Sequence, residues 1–197
     1  VFTILNTGSN TADVNLILTS KDGTPMNVSL AAPSWGFELG GTSGGSEAIG
    51  SFVPISIPVG GVKVLTASPY GTNDSTKTGW ACLQSAGGQI GGVATFQHFD
   101  TMGNLTTAAG VLAADAGTVA TIPVDNDTSL SRSVGYAIAN PGTDLITVKI
   151  IVLDANGTPQ RSYSVRLSGG AQIARFLAED DATLRRFRGS MVLIGQG

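Results

Sequence analysis

The chain has 197 residues, of which 42% are hydrophobic and only 13% are charged, and its formal net charge is −3. The charged fraction is about half of that in an average globular protein. An acidic chain without a basic face argues against a nucleic-acid partner, because phosphates are bound through clustered Lys and Arg. No apolar run reaches the roughly 18 residues of a membrane-spanning helix, and the single cysteine, Cys82, excludes an intrachain disulfide.

Short apolar and β-branched runs, separated by Gly, Pro, Asn and Asp, predict an all-β fold. In chain order the predicted strands are 2–6, 13–20, 52–57, 62–67, 79–84, 92–98, 105–112, 118–124, 134–140, 145–153, 160–167, 172–176 and 189–194. Only the segment 178–186 predicts a helix, because it begins with acidic residues and ends with basic ones, as a helix dipole favours.

Two parts of the sequence match at a constant separation. Asn6 corresponds to Asn140, 134 positions later, and the same separation relates the Asp-Gly-Thr-Pro turn at 22–25 to the Asn-Gly-Thr-Pro turn at 156–159. The alternating apolar residues between these motifs also match, Val14, Leu16 and Leu18 with Val148, Ile150 and Val152. Recurrence of two turns and a strand in register predicts two copies of one β module. We place these copies at 1–102 and 103–197.

The first copy carries an insertion. Gly60-Gly61 matches Gly169-Gly170 at a separation of 109 instead of 134, so the first copy has 25 extra residues after its Gly-Thr-Pro turn. The inserted loop, 31–51, contains Trp35, Phe37 and a Gly/Ser-rich stretch. Long loops of this kind inside compact domains are often functional. The alternative is that the two aromatic residues cap an open end of a sandwich.

The two predicted copies differ at their ends. The predicted strand 118–124 has no counterpart before Val1, and the strand that begins at Gly92 has none after Gly197. We therefore expect the chain to start one strand late and to stop one strand early, which would expose unpaired backbone groups. One hypothesis is that neighbouring chains supply these strands and join copies head to tail. The alternatives are a sequence boundary or a divergent copy.

Four motifs in the second half resemble those of a known family. They are Gly135-Tyr136-Ala137-Ile138-Ala139-Asn140-Pro141-Gly142, the turn at 153–159, the stretch 167–177 that contains Gly169-Gly170, and Phe187-Arg188-Gly189-Ser190. This combination resembles tandem β-sandwich modules of large secreted and surface proteins of environmental bacteria. The resemblance implies two tandem immunoglobulin-like β-sandwich domains and an extracellular or cell-surface location, and it supplies no catalytic residues. The first half departs from the pattern, with Thr7 where the second half has Pro141.

One loop has residues suited to a metal ion. Asp125 and Asp127, in Asp125-Asn126-Asp127-Thr128-Ser129, place carboxylates at alternating positions. Calcium requires six to eight oxygen ligands, so this loop would form part of a calcium site. The Gly and the distal Glu of an EF-hand loop are missing, and the alternative is a polar turn between strands. No other cofactor is predicted.

No catalytic arrangement stands out. The chain has one histidine, His98, and no Gly-x-Ser-x-Gly motif. We therefore predict a protein that is not an enzyme: an extracellular structural or adhesive module, with a head-to-tail surface filament as one form. Its partners would be other protein chains, including copies of itself joined by strand exchange.

The alternative function is a carbohydrate-binding module. Its candidate stacking residues are Trp35, Phe37 and Tyr70, because aromatic rings offer flat apolar platforms to sugars. Its partner would be a glycan. Trp80, at the start of a predicted strand, is expected to lie in the core instead.

Overall fold

The protein has an all-β fold, which confirms the class predicted from the strand pattern. The computed structural model describes residues 1–31, 48–68 and 77–196. Within those ranges the strands are β1 (Phe2–Asn6), β2 (Ala12–Ser20), β3 (Val28–Ala31), β4 (Ala48–Gly50), β5 (Phe52–Ile57), β6 (Val62–Ser68), β7 (Gly79–Ala86), β8 (Ile90–Phe99), β9 (Leu105–Leu112), β10 (Val119–Asp127), β11 (Gly135–Ala139), β12 (Ile146–Asp154), β13 (Pro159–Leu167), β14 (Gln172–Phe176) and β15 (Arg186–Gln196).

The helix predicted at 178–186 is instead two separate turns. The first, α1, spans Leu177–Asp180, and a 3₁₀ turn follows at Ala182–Arg185. Between them Asp181 has an extended backbone, and its carboxylate accepts a hydrogen bond from the Thr183 amide at 2.8 Å. A capping carboxylate starts a new turn at this point, so the charge pattern of the segment reflects two short turns instead of one helix.

The strands of the described ranges form four antiparallel sheets, and the chain divides into two compact units. Unit 1 comprises Val1–Leu18, Pro25–Lys77 and Ala81–Asp115, and unit 2 comprises Thr19–Thr24, Thr78–Trp80 and Ala116–Gly197. The strand orders are β4-β3-β6-β1-β8-β9 and β5-β2-β7 for the sheets built mostly from unit 1, and β10-β15-β12-β13 and β11-β14 for those of unit 2.

Strand β9 lies on the other side of the boundary that we predicted. We assigned 103–197 to the second copy, yet β9 pairs with β8, with Val93 opposite Leu112 and Gln97 opposite Ala108. The hairpin connection makes β9 the last strand of the six-stranded sheet. Unit 1 therefore extends to Asp115 instead of ending near 102.

Each unit has its own hydrophobic core. In β2 the alternate residues Ala12, Val14, Leu16 and Leu18 are buried, and they pack in one cluster with residues such as Ile4. In β12 the alternate residues Val148, Ile150 and Val152 are buried in a second cluster, which includes Tyr136 and Met191. Strands that bury one face in this way form sandwich-like layers.

The strand registers of the two units correspond. β1 pairs with β6 so that Phe2 faces Leu65, and β11 pairs with β14 so that Tyr136 faces Arg175. Likewise Ala12 faces Ile57 between β2 and β5, and Ile146 faces Leu167 between β12 and β13. Residues of β1 and β2 therefore match positions 134 residues later, whereas residues of β5 and β6 match positions 110 residues later.

This register corrects the predicted glycine match by one residue. Gly60 has φ +68° and Gly170 has φ +73°, a conformation that glycine adopts without a steric penalty. The residue after each glycine donates a similar turn bond, Gly61 to the Pro58 carbonyl at 2.8 Å and Ala171 to the Ser168 carbonyl at 3.0 Å. Gly60 thus corresponds to Gly170 and not to Gly169, and the insertion in the first half is 24 residues long instead of 25.

The two units differ in which strand edges are covered. β1 pairs with β6 on one side and with β8 on the other, where Phe2 faces Ala94 and Ile4 faces Gly92. The corresponding strand β11 pairs only with β14 within the described residues. Conversely, β15 is covered by β10, whereas β7 has only β2 as a neighbour among the described strands. Among the described strands, each unit therefore leaves open one strand edge whose equivalent is paired in the other unit.

Candidate functional site

Two buried asparagines organise the ends of the sheets. In unit 1 the Asn6 side chain is fully buried, and its amide nitrogen donates to the carbonyls of Asn10 at 2.8 Å and Ile57 at 2.9 Å. Its side-chain oxygen accepts the Gly8 amide at 2.9 Å. The side chain thus satisfies backbone groups where the chain leaves β1.

Asn140 makes the corresponding bonds in unit 2. Its amide nitrogen donates to the carbonyls of Asp144 at 2.7 Å, Leu167 at 3.2 Å and Ser168 at 3.1 Å, and its oxygen accepts the Gly142 amide at 3.0 Å. The signal for both sites is the Asn-x-Gly motif after a strand. All polar atoms of both side chains serve the backbone, so these asparagines act as structural residues.

A polar cluster lies next to the β11–β14 ladder. The side chain of Asp180 is only 5% exposed, and it accepts the phenol of Tyr136 at 2.6 Å and that of Tyr163 at 3.0 Å. Its other oxygen pairs with Arg175 at 3.1 Å. Burial, reinforced by hydrogen bonding to Asp180, raises the pKa of both tyrosines well above the usual value. The phenols therefore remain protonated donors, and the cluster links β11, β13 and α1.

The same ladder borders an open depression of about 420 Å³. It is lined by Gly135, Tyr136, Ala137, Ala174, Arg175, Phe176 and Glu179. Phe176 is 52% exposed, and it lies opposite Gly135, where an added Cβ would come within 3.3 Å of its ring. The sequence did not predict this feature, because it follows from the open edge of β11 and not from a motif.

The proposed metal ligands lie at the end of β10, where each is paired with arginine. Asp125 contacts Arg188 at 3.0 Å and Arg132 at 3.5 Å. Asp127 contacts Arg186 at 3.6 Å. A cation at this position would compete with three guanidinium groups for the two carboxylates.

Asp127 also caps the turn that follows β10. It accepts the amide of Ser129 at 3.2 Å together with the Ser129 hydroxyl, and this hydroxyl bond is the main reason why the pKa of Asp127 is lowered. Within the described residues, no three His, Cys, Asp or Glu side chains are grouped so that they could share a metal ion. The calcium site stays a prediction. The alternative, a polar turn between strands, accounts for the contacts of both carboxylates.

The predicted stacking residues Trp35, Phe37 and Tyr70 lie outside the described residues. Trp80 is partly buried, and its indole nitrogen donates to the Gly170 carbonyl at 2.8 Å, so its ring is anchored. The described aromatic residues that are most exposed are different ones, namely Phe52, Phe96, Phe99 and Phe176. In the sequence, each of these phenylalanines lies in an apolar pattern like that of a core residue, so no signal predicted its exposure.

The β8–β9 hairpin is poorly buried. All eight residues of β9 are exposed, and Phe96 in β8 is 63% exposed. The turn is nevertheless well formed, because Asp100 accepts the amides of Met102 at 2.9 Å and Asn104 at 2.8 Å. Neither strand contains Asp, Glu, Lys or Arg. A long, uncharged edge strand without proline is open to pairing with another chain.

Among the described residues, no helix has the length and apolar character needed to cross a membrane. No protein-family model, curated protein or solved structure matches this chain. The resemblance to tandem modules of secreted bacterial proteins therefore stays a prediction from sequence motifs.

Proposed function

We propose that the protein is a non-catalytic structural module of an extracellular assembly and associates with other protein chains through its sheet edges. The observation that carries this proposal is the β8–β9 hairpin. It exposes Phe96, Phe99, Leu105, Val111 and Leu112, each more than half accessible to solvent.

Physical chemistry favours a covered hairpin. β1 pairs with β8 only as far as Thr95, so the part of the hairpin beyond it has two strands among the described residues, and a two-stranded ribbon is marginally stable in water. Exposed apolar patches commonly mark interaction sites. Soluble proteins usually protect long edge strands with Lys, Pro or bulges. The β8–β9 ladder has one irregularity, between His98 and Phe99, and its edge strand β9 has no charged residue and no proline.

Other features support a scaffold. The buried polar side chains of Asn6, Asn140 and Asp180 are all engaged in bonds that hold strands together. The matching registers of the two units support a duplicated module, and the low charged fraction supports an extracellular or cell-surface location. A tandem immunoglobulin-like arrangement in a head-to-tail filament is the specific form that we propose.

The experiment is to measure molar mass by light scattering over a wide range of protein concentration, together with negative-stain electron microscopy. We expect mass to rise with concentration and Phe96→Asp to suppress the rise. Phe52→Asp is the matched control, because Phe52 is also exposed, at 56%, on another edge strand. A strict monomer at every concentration would refute the proposal.

A second candidate function is carbohydrate binding, and the depression beside Phe176 favours it. Its exposed ring lies next to Arg175, whose side chain is 48% exposed, so that an apolar platform has a polar rim. A glycan array is the direct test. Binding that is lost in Phe176→Ala and kept in Phe96→Ala would support this site, and a blank array would remove the function.

A further inference from the structure

We propose that β9 of one copy adds as an antiparallel strand to the open edge of β11 in a second copy. This inference rests on the proposed function and names the two edges that meet. It follows from the directions of backbone groups in the strands that already pair.

Unit 1 shows what covers the corresponding edge. Val1 and Thr95 exchange two backbone bonds of 2.8 Å, and the Thr7 amide donates to the Gln89 carbonyl at 2.9 Å. The Asn6 amide points the other way and donates to Gly61 at 3.0 Å. In an antiparallel sheet these directions alternate, so Val1, Thr3, Leu5 and Thr7 face β8.

The same alternation holds for β11. The Asn140 amide donates to the Ala171 carbonyl at 2.9 Å, on the β14 side. Gly135, Ala137 and Ala139 therefore direct their N–H and C=O groups to the opposite side, where β11 has no neighbouring strand among the described residues. Together they offer a short, uncharged acceptor edge.

Strand β9 offers the complementary edge. The Ala113 amide donates to the Gly92 carbonyl at 2.8 Å, so Ala113 and every second residue before it direct their backbone groups toward β8. The alternate residues Ala108, Gly110 and Leu112 then face away from β8. Among the described strands β9 is the last of its sheet, so these three residues lie at its outer edge.

The two edges match in one antiparallel register. Ala108 lies opposite Ala139, Gly110 opposite Ala137, and Leu112 opposite Gly135. Leu112 is 78% exposed, and in this register it reaches the depression where Gly135 has no side chain.

The neighbouring positions also match in this register. Val111, which is 58% exposed, comes opposite the buried Tyr136, much as Ala94 lies opposite Phe2 in unit 1.

The geometry makes the contact heterologous. Each copy has one β9 edge and one β11 edge, so pairing leaves a free edge at both ends and can continue. β11 has five residues, so this ladder is expected to bury less than the roughly 1,200 Å² of a stable interface. We therefore expect weak association that becomes extended only at high protein concentration.

The test uses two variants of the 197-residue chain in a Cys82→Ala background, Gly110→Cys in one and Ala137→Cys in the other. Because each chain has one cysteine, a disulfide can form only between copies. The predicted partners would lie about 5.5 Å apart at Cα, within the range of a disulfide. We expect the mixture to cross-link under mild oxidation much faster than either variant alone.

Edge-blocking variants provide a second readout. Leu112→Lys on β9 and Ala137→Pro on β11 should each lower the association constant by about tenfold or more, because charge and loss of an amide both oppose strand pairing. Ser162→Lys, at an exposed position of the outer strand β13, is the control and should leave it unchanged. Leu112 is exposed, so its variant tests the contact even if Ala137→Pro fails to fold.

The outcomes separate the two proposals. Association that persists in both edge variants, or cross-linking of Gly110→Cys with itself in place of the mixed pair, would overturn the β9–β11 contact and keep a self-associating module. Absence of association in the unmodified protein would overturn both.

Discussion

Units 1 and 2 share a framework and differ at their edges. Asn6 and Asn140 bind matching backbone groups, and the ladders β1–β6 and β11–β14 have the same register. Yet β1 lies between two strands, whereas β11 has one neighbour in the described part of the chain. Turns and core positions thus define each unit, while the strands added at the edges decide what remains available for partners.

The largest expected effect tests the shared framework. Asn140→Ala and Asn6→Ala should each destabilise the protein by about 3 kcal/mol, because several backbone groups at the strand ends lose a hydrogen-bond partner. Urea unfolding of both variants measures this, with Asn104→Ala at an exposed turn as the control. If one variant costs less than about 1 kcal/mol, the two asparagines are not equivalent.

A somewhat smaller effect is expected at the polar cluster of unit 2. Asp180→Ala should destabilise the protein by about 2 kcal/mol, because the phenols of Tyr136 and Tyr163 lose a buried acceptor. Asp115→Ala, at an exposed carboxylate, is the control. Equal unfolding curves for the two variants would show that the cluster does not stabilise unit 2.

Alkaline pH should also act on unit 2 through Tyr136. The pKa of Tyr136 is raised in the folded protein, so above pH ~10 the phenol loses its proton in the unfolded state but not in the folded one. The contribution of the protonated phenol to the free energy of unfolding is therefore complete below pH ~10 and declines as the pH rises further. The slope would be about 1.4 kcal/mol per pH unit. Unfolding measured as a function of pH should show a shallower decline for Tyr136→Phe, and an unchanged slope would contradict this assignment.

The smallest effect sharpens the contrast between core and edge. Phe96→Ser should change the stability of the monomer by about 0.5 kcal/mol or less, because its side chain is 63% exposed. Leu16→Ala, in the core of unit 1, should cost about 2–5 kcal/mol. Urea unfolding at low protein concentration compares them, and a large cost at Phe96 would mean that the hairpin packs on its own unit.

Local chemistry made much of the framework predictable. Alternating apolar residues located β2 and β12, and the Asn-x-Gly motifs located the turns that Asn6 and Asn140 stabilise. In contrast, β9 reads Leu-Thr-Thr-Ala-Ala-Gly-Val-Leu, a pattern with no polar face, so its sequence did not show which sheet it joins. β9 pairs with β8 because the turn at Asp100 connects them as a hairpin. The sequence pattern predicts a boundary between the two copies at this turn instead.

The candidate site was harder to predict than the fold. The one-residue error at Gly60 arose because both members of each Gly-Gly pair look alike in sequence, whereas backbone conformation distinguishes them. Exposed Phe96 and buried Leu16 belong to similar apolar runs, and nothing within either run shows which of the two residues is buried. Whether a strand edge is open depends on which strands pair, and no residue type in the strand itself indicates this.

Pro141 gives the open edge of β11 a fixed limit. It occupies the position of Thr7, whose amide extends the ladder in unit 1, and proline has no amide hydrogen to donate. A chain that joins this edge can receive no backbone hydrogen bond from position 141, where unit 1 has the bond from Thr7 to Gln89. A ladder on β11 would therefore be one bond shorter than the ladder on β1, so an added strand would be held less firmly at this end.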